Sequence, residues 1–528
     1  MTFLRLLRGT PYCQLDPLPP ITEFHLIPAC APTRKNNLLA TRNLILRAIF
    51  LLAPLASMRA ADASASVDSA AHSPAAKPNV LLILVDDLGW RDASCYGRKE
   101  WKTPSIDRLA ESGCRFTSAY AMPLCSPTRS MLLSGKHCAR LGITDWIYRQ
   151  GGFPRATIHK DGVQSGITDR YPGFPPPPDS RLETPPMTQE GLLSEEVTFG
   201  EAFAEAGYVT CHVGKWHAGN VPPQKQGFQR VAETEQGHMD EKTELYTEQP
   251  KVDAAIRFLK DNRNNPFLLY LCFTSVHVPI MATPEKVAKH ADAPNPTYAA
   301  MVDHLDEYIG QVMAAMKELD LLRNTIVIFY SDNGGVGRSN FETKVITSNF
   351  PLRGNKGSLY EGGIRVPLIV SYPGHIQAGS VSDAIVGPAD FYPTMLELCG
   401  IPLRPEQHRD GVGFAGVFRG DKGKRQMLQW HYPHFSRHTM GFPSGAIRRD
   451  DWKLIEWFGQ TAENGKNRIE LFNLAEDPGE QNDVADHFPK LRDSLLGELA
   501  NWRVETGAVM PTPRDPSTHS TNPTPPDP

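Results

Sequence analysis

One short apolar run constrains the fold of this 528-residue chain more than any other feature. Residues 79–85 read Asn-Val-Leu-Leu-Ile-Leu-Val and are followed directly by Asp86 and Asp87. A continuous apolar run without polar alternation predicts a strand buried on both faces of a largely parallel sheet. The two acids are then expected at the carboxyl end of that strand, where open α/β sheets bind their ligands.

Similar apolar runs recur along the chain and alternate with helical patterns. The predicted strands are 208–213, 267–273, 325–330 and 366–371, and the predicted helices are 195–206, 251–260, 297–319 and 390–399. This alternation favours an α/β fold with a large mixed, mostly parallel sheet flanked by helices. Beyond residue 420, predicted strands at 427–432, 444–449, 452–457 and 469–473 and a helix at 487–503 indicate a smaller C-terminal antiparallel sheet domain with one helix.

Changes in composition divide the chain into four expected segments. They are a leader with linker (1–76), a catalytic domain (77–420), a C-terminal α+β subdomain (421–510) and a Pro-, Ser- and Thr-rich disordered tail (511–528). Within the leader, a signal-like segment at 40–61 places two arginines before the apolar stretch 48–56, followed by small residues. This order is typical of an export signal, so we expect an exported protein, periplasmic or extracellular.

Charge and cysteine content exclude several classes of protein. With 55 basic and 59 acidic residues and a net charge of −4, the chain has no basic block that would favour a nucleic-acid partner. No apolar run approaches the ~20 residues of a membrane span, so no stable membrane insertion is expected. The nine cysteines show neither CxxC nor zinc-finger spacing. Cys272 and Cys399 are predicted to be buried thiols, whereas Cys95, Cys114 and Cys138 could form disulfides in an exported protein.

A second polar pair matches the first. The predicted strand at 325–330 is followed by Ser331 and then by Asp332 and Asn333. An acidic pair alone also occurs as a helix or turn cap. Asp86, Asp87, Asp332 and Asn333 together form a hard oxygen set suited to Ca²⁺ or Mg²⁺ rather than to zinc.

The segment from Cys125 to Gly135 carries the most specific signal. It reads Cys-Ser-Pro-Thr-Arg-Ser-Met-Leu-Leu-Ser-Gly and resembles the C-x-P-x-R signature of the sulfatase family. The alternative is a buried cysteine before a helix that begins near Pro127. The resemblance implies that a formylglycine-generating or sulfatase-maturating enzyme converts Cys125 to formylglycine, whose hydrated diol is the nucleophile and a further metal ligand. Thr128 departs from the Ser or Ala more usual there.

Further motifs of this family follow in order along the chain. They are Gly214-Lys215-Trp216-His217, His277-Val278-Pro279, the glycine-rich segment 352–363 around Lys356, and Glu470-Leu471-Phe472-Asn473-Leu474 with Asp477-Pro478. The resemblance covers nearly the whole predicted mature chain. It implies an alkaline-phosphatase-like sandwich and hydrolysis of a sulfate ester.

The resemblance also implies a role for each polar residue. The four metal ligands are expected to bind one Ca²⁺, and Arg129 to hold the diol in place. Lys215 and Lys356 are expected to bind sulfate oxygens. His277 is the candidate acid for the leaving alcohol and His217 the candidate base for the diol, although the sequence allows the two roles to be exchanged. The i, i+2 spacing of Lys215 and His217 in an extended segment predicts that their side chains share one face.

Two other functions are compatible with these residues. A phosphonate monoester or phosphodiester hydrolase could use the same fold, and an unmodified Cys125 would leave a non-catalytic glycan-binding protein. The expected substrate is a sulfated small molecule or, more naturally for an exported enzyme, a sulfated glycan. Residues 146–190 and 338–350 are expected specificity regions, and residues 431–434, with His431 and His434, either contact a sugar or form a packed loop of the second domain. The sequence leaves open which ester is cleaved, endo or exo action, and the oligomeric state.

Overall fold

The computed structural model describes residues 77–147, 157–158, 164–165, 182–183, 191–232, 238–239, 246–337, 345–435, 442–461 and 466–513. The predictions for the leader, for the tail beyond 513 and for most of the loop at 146–190 lie outside these residues. No helix among the described residues is both long and apolar enough to cross a membrane.

An eight-stranded mixed sheet forms the centre of the larger domain. Its strands are β1 (Asn79–Val85), β2 (Cys114–Phe116), β3 (Val209–Gly214), β4 (Arg230–Ala232), β5 (Phe267–Cys272), β6 (Thr325–Ser331), β7 (Leu368–Ser371) and β8 (Ser380–Ser382). Their order across the sheet is β8-β2-β7-β6-β1-β5-β3-β4. The strands from β6 to β4 are parallel, and β7 runs antiparallel to β6 and β2. The carboxyl ends of β6, β1, β5 and β3 therefore meet at one edge.

Helices cover both faces of this sheet. The α-helices of the described residues are α1 (Pro104–Ser112), α2 (Cys125–Ser134), α3 (Cys138–Leu141), α4 (Phe199–Glu205), α5 (Gln249–Asp261), α6 (Pro284–Lys289), α7 (Pro296–Glu318), α8 (Glu361–Ile364), α9 (Phe391–Leu398) and α10 (Pro489–Thr506), the last of which belongs to the smaller domain. Side chains of α2, α4 and α9 pack with Leu82 and Leu84 on one face, and those of α1, α5 and α7 pack with Leu81 and Ile83 on the other. Both faces of β1 are thus buried, which explains its unbroken apolar sequence.

The smaller domain is a four-stranded antiparallel sheet with one long helix. Its strands, in sheet order, are β9 (Met427–Tyr432), β10 (Ser444–Arg449), β11 (Trp452–Thr461) and β12 (Asn467–Asn473). One face packs on α10 through Leu454, Leu471 and Leu495. The other face packs on the larger domain, where Trp430 and Tyr120 belong to one hydrophobic cluster and their rings are in contact. The sheet therefore lies between its own helix and the larger domain.

The predicted fold class is confirmed, and the main differences are at element ends. The predicted helix 195–206 begins only at Phe199. Thr198 ends the preceding extended segment and forms a capping box with Glu201, which fixes that start. The short strands β2, β4 and β8 were not predicted, because three residues are too few for a periodic pattern.

Candidate active site

Four polar side chains lie directly after the carboxyl ends of two neighbouring strands. Asp86 and Asp87 come directly after β1, and Asp332 and Asn333 directly after β6. The register pairs the last residues of these strands, so the two polar pairs leave the sheet side by side. The Asn333 side-chain amide donates to Asp87 Oδ1 at 2.7 Å, and all four side chains are buried. The predicted ligand set is thus assembled by one edge of the sheet.

Three oxygens of this set have no hydrogen-bond donor among the described residues. They are Asp86 Oδ1, Asp87 Oδ2 and Asn333 Oδ1, and all are buried. Burial of unpartnered oxygens is costly, so three of them on neighbouring residues indicate a ligand. Carboxylate and amide oxygens are the donors that a hard divalent cation prefers. One ligand atom each from Asp86, Asp332 and Cys125 also lies within 4.8 Å of the others, which brings residue 125 to the same site.

Three cationic side chains pair with these carboxylates. Arg129 donates to Asp332 Oδ2 from Nε at 2.9 Å and from Nη2 at 2.8 Å. The other pairs are Lys215 Nζ with Asp86 Oδ2, and Lys356 Nζ with Asp87 Oδ1 at 2.5 Å. Every one of these groups is buried, so the site contains a dense, buried array of opposite charges. Such an array can bind both a cation and an anion in adjacent positions.

Burial and charge separate the pKa values of the three carboxyl groups. Burial alone would raise the pKa of Asp86, but Lys215 and the other nearby cations hold it well below its usual range. The pKa of Asp87 is raised, because burial outweighs the attraction of Lys356. Burial and the charge of Asp86 raise the pKa of Asp332 to about 7. A bound divalent cation would stabilise the charged form of each.

Cys125 is the first residue of α2 and is buried. Leu124 before it is extended, and Thr128 Oγ1 donates to the Leu124 carbonyl at 3.2 Å, which ties the turn that presents Cys125. Arg129 follows one helical turn later and therefore lies on the same side of the helix. Its guanidinium bonds carboxylates rather than Cys125 itself. Burial raises the pKa of the Cys125 thiol, so an unmodified cysteine is a poor nucleophile.

His217 lies beside Cys125. Its Nδ1 is 3.2 Å from Cys125 Sγ, and its Nε2 is 2.6 Å from the carbonyl oxygen of Ile147. Because a carbonyl only accepts, Nε2 must carry the ring proton, and Nδ1 is left as an acceptor. Burial and the charge of Lys215 keep the pKa of His217 well below its usual range, so the ring is neutral. Nδ1 can therefore take a proton from a group at position 125.

The turn after β3 differs from the extended segment predicted for Lys215 and His217. The strand ends at Gly214, where a Cβ would lie 1.9 Å from the Cys272 carbonyl oxygen. His217 then adopts a left-handed φ of 49°. A turn, rather than strand alternation, brings both side chains to the site.

His277 follows β5 on the other side of the acids. Its Nδ1 lies 2.7 Å from the Val278 carbonyl oxygen and so carries the proton, while Nε2 lies 3.8 Å from Asp87 Oδ2. Burial and the charge of Lys356 lower the pKa of His277 to about 3. The free ring is therefore neutral, with Nε2 on the side of the carboxylates.

A buried carboxylate that the sequence did not indicate holds the His277 loop. Glu248 Oε1 accepts from the backbone N–H groups of Thr274 and Ser275, both at 2.7 Å. Its Oε2 pairs with Lys251 at 2.6 Å, and Lys251 Nζ donates to Thr274 Oγ1 at 2.8 Å. A Glu three residues before a Lys at a helix start is too common to mark a site. Only the tertiary contacts identify this pair.

The glycine-rich segment 352–363 brings Lys356 to the site. The Lys356 backbone N–H donates to the Gly335 carbonyl at 3.1 Å, two residues after Asn333. The Asn349 side chain bonds both the N–H and the carbonyl of Gly335, at 3.2 and 3.0 Å. Gly354, at φ 80°, makes the turn in which a Cβ would lie 2.5 Å from Ser358 Oγ. Lys356 is therefore rigidly placed.

The structure decides two points that the sequence left open. Cys95, Cys114 and Cys138 are free thiols rather than disulfide partners; Cys138 is fully buried. His431 and His434 are buried and do not face a substrate. His431 lies on the face of β9 opposite Trp430, where its Nε2 is 2.9 Å from the Val509 carbonyl oxygen of the smaller domain. His434 Nε2 lies 2.8 Å from Thr144 Oγ1 of the larger domain. By contrast, Cys272 and Cys399 are buried thiols as predicted.

The fold and the site together define a class of enzyme. Every residue predicted for the catalytic and metal sites converges at the carboxyl ends of β1, β3, β5 and β6, the start of α2 and the 352–363 segment. Oxygen ligands for a hard cation lie next to lysines suited to an anion and to two neutral histidines suited to proton transfer. These are the features of a hydrolase that cleaves esters of a tetrahedral oxyanion.

Comparison with known proteins narrows this class. A sulfatase family model matches residues 78–401, and a model for the C-terminal region of N-sulphoglucosamine sulphohydrolase matches residues 354–504. A sulfatase from Formosa agariphila is 30% identical over 82% of this chain and 90% of its own. Human N-acetylgalactosamine-6-sulfatase is also 30% identical, over 76% and 81%. The solved structure of Ps i-CgsB in complex with k-i-k-neocarrahexaose is 27% identical with a TM-score of 0.65, over 81% and 92%.

The chain belongs to the sulfatase family, within the alkaline phosphatase-like superfamily, and is a sulfuric ester hydrolase.

Proposed function

We propose that this sulfatase acts on sulfated carbohydrates through a formylglycine made from Cys125 and one Ca²⁺. The observation that carries the proposal is the 3.2 Å contact between Cys125 Sγ and the unprotonated Nδ1 of His217, set beside the oxygen ligands. The base could take a proton from either a thiol or a hydroxyl, but the oxygen ligands beside position 125 suit a hard cation and an oxygen nucleophile better than a buried thiol whose pKa is raised. Hydrated formylglycine would supply a geminal diol, one oxygen of which attacks sulfur while the other later releases sulfate.

The cation site fits this chain's own residues. Asp86, Asp87, Asp332 and Asn333 would hold Ca²⁺, with three of their oxygens already buried and unpartnered. The cation would polarise an ester oxygen and favour the charged nucleophile. The pairing of Arg129 with Asp332, 2.8 Å apart, aligns the ligand edge with α2. We therefore assign Arg129 to ordering the ligands as well as position 125.

Proton transfer is assigned to the two histidines by their tautomers. His217 offers Nδ1 to residue 125 and is our base for it. In His277 the backbone hydrogen bond is made by Nδ1, so Nε2, 3.8 Å from Asp87 Oδ2, is available to the leaving alcohol. We assign His277 as the acid for that alcohol. Burial and the charge of Lys356 lower the pKa of His277 to about 3, so His277 would take up its proton when the anionic substrate binds and offsets that charge. Lys215 and Lys356 would neutralise the sulfate oxygens.

Carbohydrate is the substrate class that the relatives favour. One of them is a human N-acetylgalactosamine-6-sulfatase, and a solved relative holds a neocarrahexaose. We further propose export of the chain and maturation of Cys125 by a formylglycine-generating or sulfatase-maturating enzyme. The 40–61 segment, which supports export, lies outside the described residues.

Hydrolysis of a nitrophenyl sulfate, compared with the matching phosphate diester, tests the reaction. We expect faster release from the sulfate, and a strong preference for the diester would overturn the proposal. A panel of sulfated saccharides, including 6-sulfated N-acetylgalactosamine and carrageenan oligosaccharides, then tests the substrate class. Cys125→Ala serves as the inactive control, because alanine leaves no atom to modify.

A further inference from the structure

A groove of about 760 Å³ opens between residues 345–355 of the larger domain and the turn 479–481 of the smaller one. One end adjoins the active site, because Asn355 in its wall directly precedes Lys356. Gly337, four residues after the ligand Asn333, packs on Asn355 so closely that a Cβ would lie 2.4 Å from Asn355 Nδ2. One end of the groove therefore lies next to Lys356, the lysine proposed to bind sulfate.

The walls of the groove are tied together. The Glu480 carbonyl accepts from Arg353 Nη1 at 2.9 Å, and its carboxylate accepts from the Glu361 N–H at 2.6 Å. A Cβ on Gly479 would lie 2.9 Å from the Pro351 carbonyl oxygen, so the two segments are in contact at the floor. A groove built in this way is preformed, and its volume lies in the range of about 300–1,000 Å³ typical of small-molecule sites.

The lining has the chemistry of a sugar site. Phe350 is 68% exposed although it lies in the wall, so its ring is available for stacking. A pyranose presents an apolar C–H face to such a ring and hydroxyl groups to amides, which Asn355 and Gln481 supply. Among the described lining residues there is no acid and one cation, Arg353, which suits a sugar that is itself anionic.

We propose that this groove binds the pyranose ring glycosidically linked to the sulfated sugar, with Phe350 as the stacking platform. The enzyme then selects oligosaccharides over monosaccharides. This inference rests on the proposed function, because it takes the occupant to be part of the same glycan.

Isothermal titration calorimetry in the Cys125→Ala background, which prevents turnover, tests the proposal. The probes are N-acetylgalactosamine 6-sulfate, a hexasaccharide that carries it, and a sulfated carrageenan hexasaccharide. We expect at least one hexasaccharide to bind more tightly than the monosaccharide. Phe350→Ala should lower this affinity ratio about tenfold, Phe350→Tyr should preserve it, and the control Val504→Ala, at a position 84% exposed on α10, should not change it.

The proposal would be overturned if the Cys125→Ala protein bound the monosaccharide and the hexasaccharides equally well. It would also be overturned if adding Phe350→Ala left the ratio of the two affinities unchanged. A separate measurement tests the proposed function. If the unmutated protein, with Cys125 converted to formylglycine, does not hydrolyse nitrophenyl sulfate, the proposed function is wrong. If the protein lacks sulfatase activity but still prefers hexasaccharides, the proposed reaction is wrong and the proposed sugar-binding groove stands.

Discussion

Replacing Lys453 with methionine tests how the smaller domain supports the active site. Lys453 is fully buried, and its Nζ lies 2.9 Å from Glu361 Oε1 and 2.8 Å from Glu480 Oε1, both equally buried. Glu361 begins α8, five residues after Lys356, and Glu480 belongs to the turn that walls the groove. Removal of the ammonium leaves two neighbouring buried carboxylates with one cation fewer.

The structure sets the size of the effect. Removing one partner of a buried ion pair costs about 3–5 kcal/mol. Arg365 lies 3.3 Å from Glu361 and offsets part of this loss, so we expect a fall of about 3 kcal/mol in the free energy of unfolding at pH 8. Urea unfolding, followed by tryptophan fluorescence, measures it. Adding Glu480→Gln to Lys453→Met should recover part of the loss, because it removes one of the two charges.

The sign of the pH dependence follows from the two carboxyl groups. Burial and the neighbouring Glu361 raise the pKa of Glu480 to about 7, against the attraction of Lys453. A pKa that is higher in the folded state gives stability that is full below the unfolded pKa, about 4.3, and is lost as the pH rises through 7. Without Lys453 both groups take up protons more readily. The deficit of Lys453→Met should therefore shrink between pH 8 and pH 5. A deficit below about 1 kcal/mol at pH 8, or one that grows on acidification, would show that Lys453 does not neutralise the two carboxylates.

Two further predictions concern the metal and the His277 loop. Chelation by EGTA should lower the melting temperature and excess Ca²⁺ should restore it, because a ligand at 100 times its Kd adds about 2.7 kcal/mol to the free energy of unfolding. Asn333→Ala should weaken this response. A melting temperature that changes with neither EGTA nor Ca²⁺ would contradict the assigned site. Glu248→Ala should slow alkyl sulfate hydrolysis about tenfold more than nitrophenyl sulfate hydrolysis, because it releases the loop that places the acid for poor leaving groups. Glu248→Gln, which keeps an acceptor oxygen, should show a smaller difference, and equal slowing of both substrates would argue against positioning.

The elements that could be predicted are those whose residues are local in sequence. The β1 run is buried on both faces, so its apolar pattern predicted its bounds, Asn79–Val85, without error. Parallel strands place their carboxyl ends at one edge, which is why Asp86 and Asp332 could be paired across some 240 residues of intervening chain.

The remaining features depend on contacts between distant segments. Glu248 supports His277 through backbone N–H groups, and no side-chain pattern records such bonds. His431 could have been a sugar contact or part of a packed loop, and only the structure shows that Val509 and Phe458 of the smaller domain surround it. The groove at Phe350 is formed by two domains, so it too required the structure.

Mass spectrometry of residues 116–129, combined with sulfate release from the same preparations, tests whether formylglycine at position 125 is the nucleophile. Preparations made with and without a maturating enzyme would contain different fractions of the peptide in which CH₂SH of Cys125 is replaced by CHO. We expect activity toward nitrophenyl sulfate to rise in proportion to this fraction and to vanish without it. Full activity in a preparation whose Cys125 is entirely unmodified would contradict this expectation.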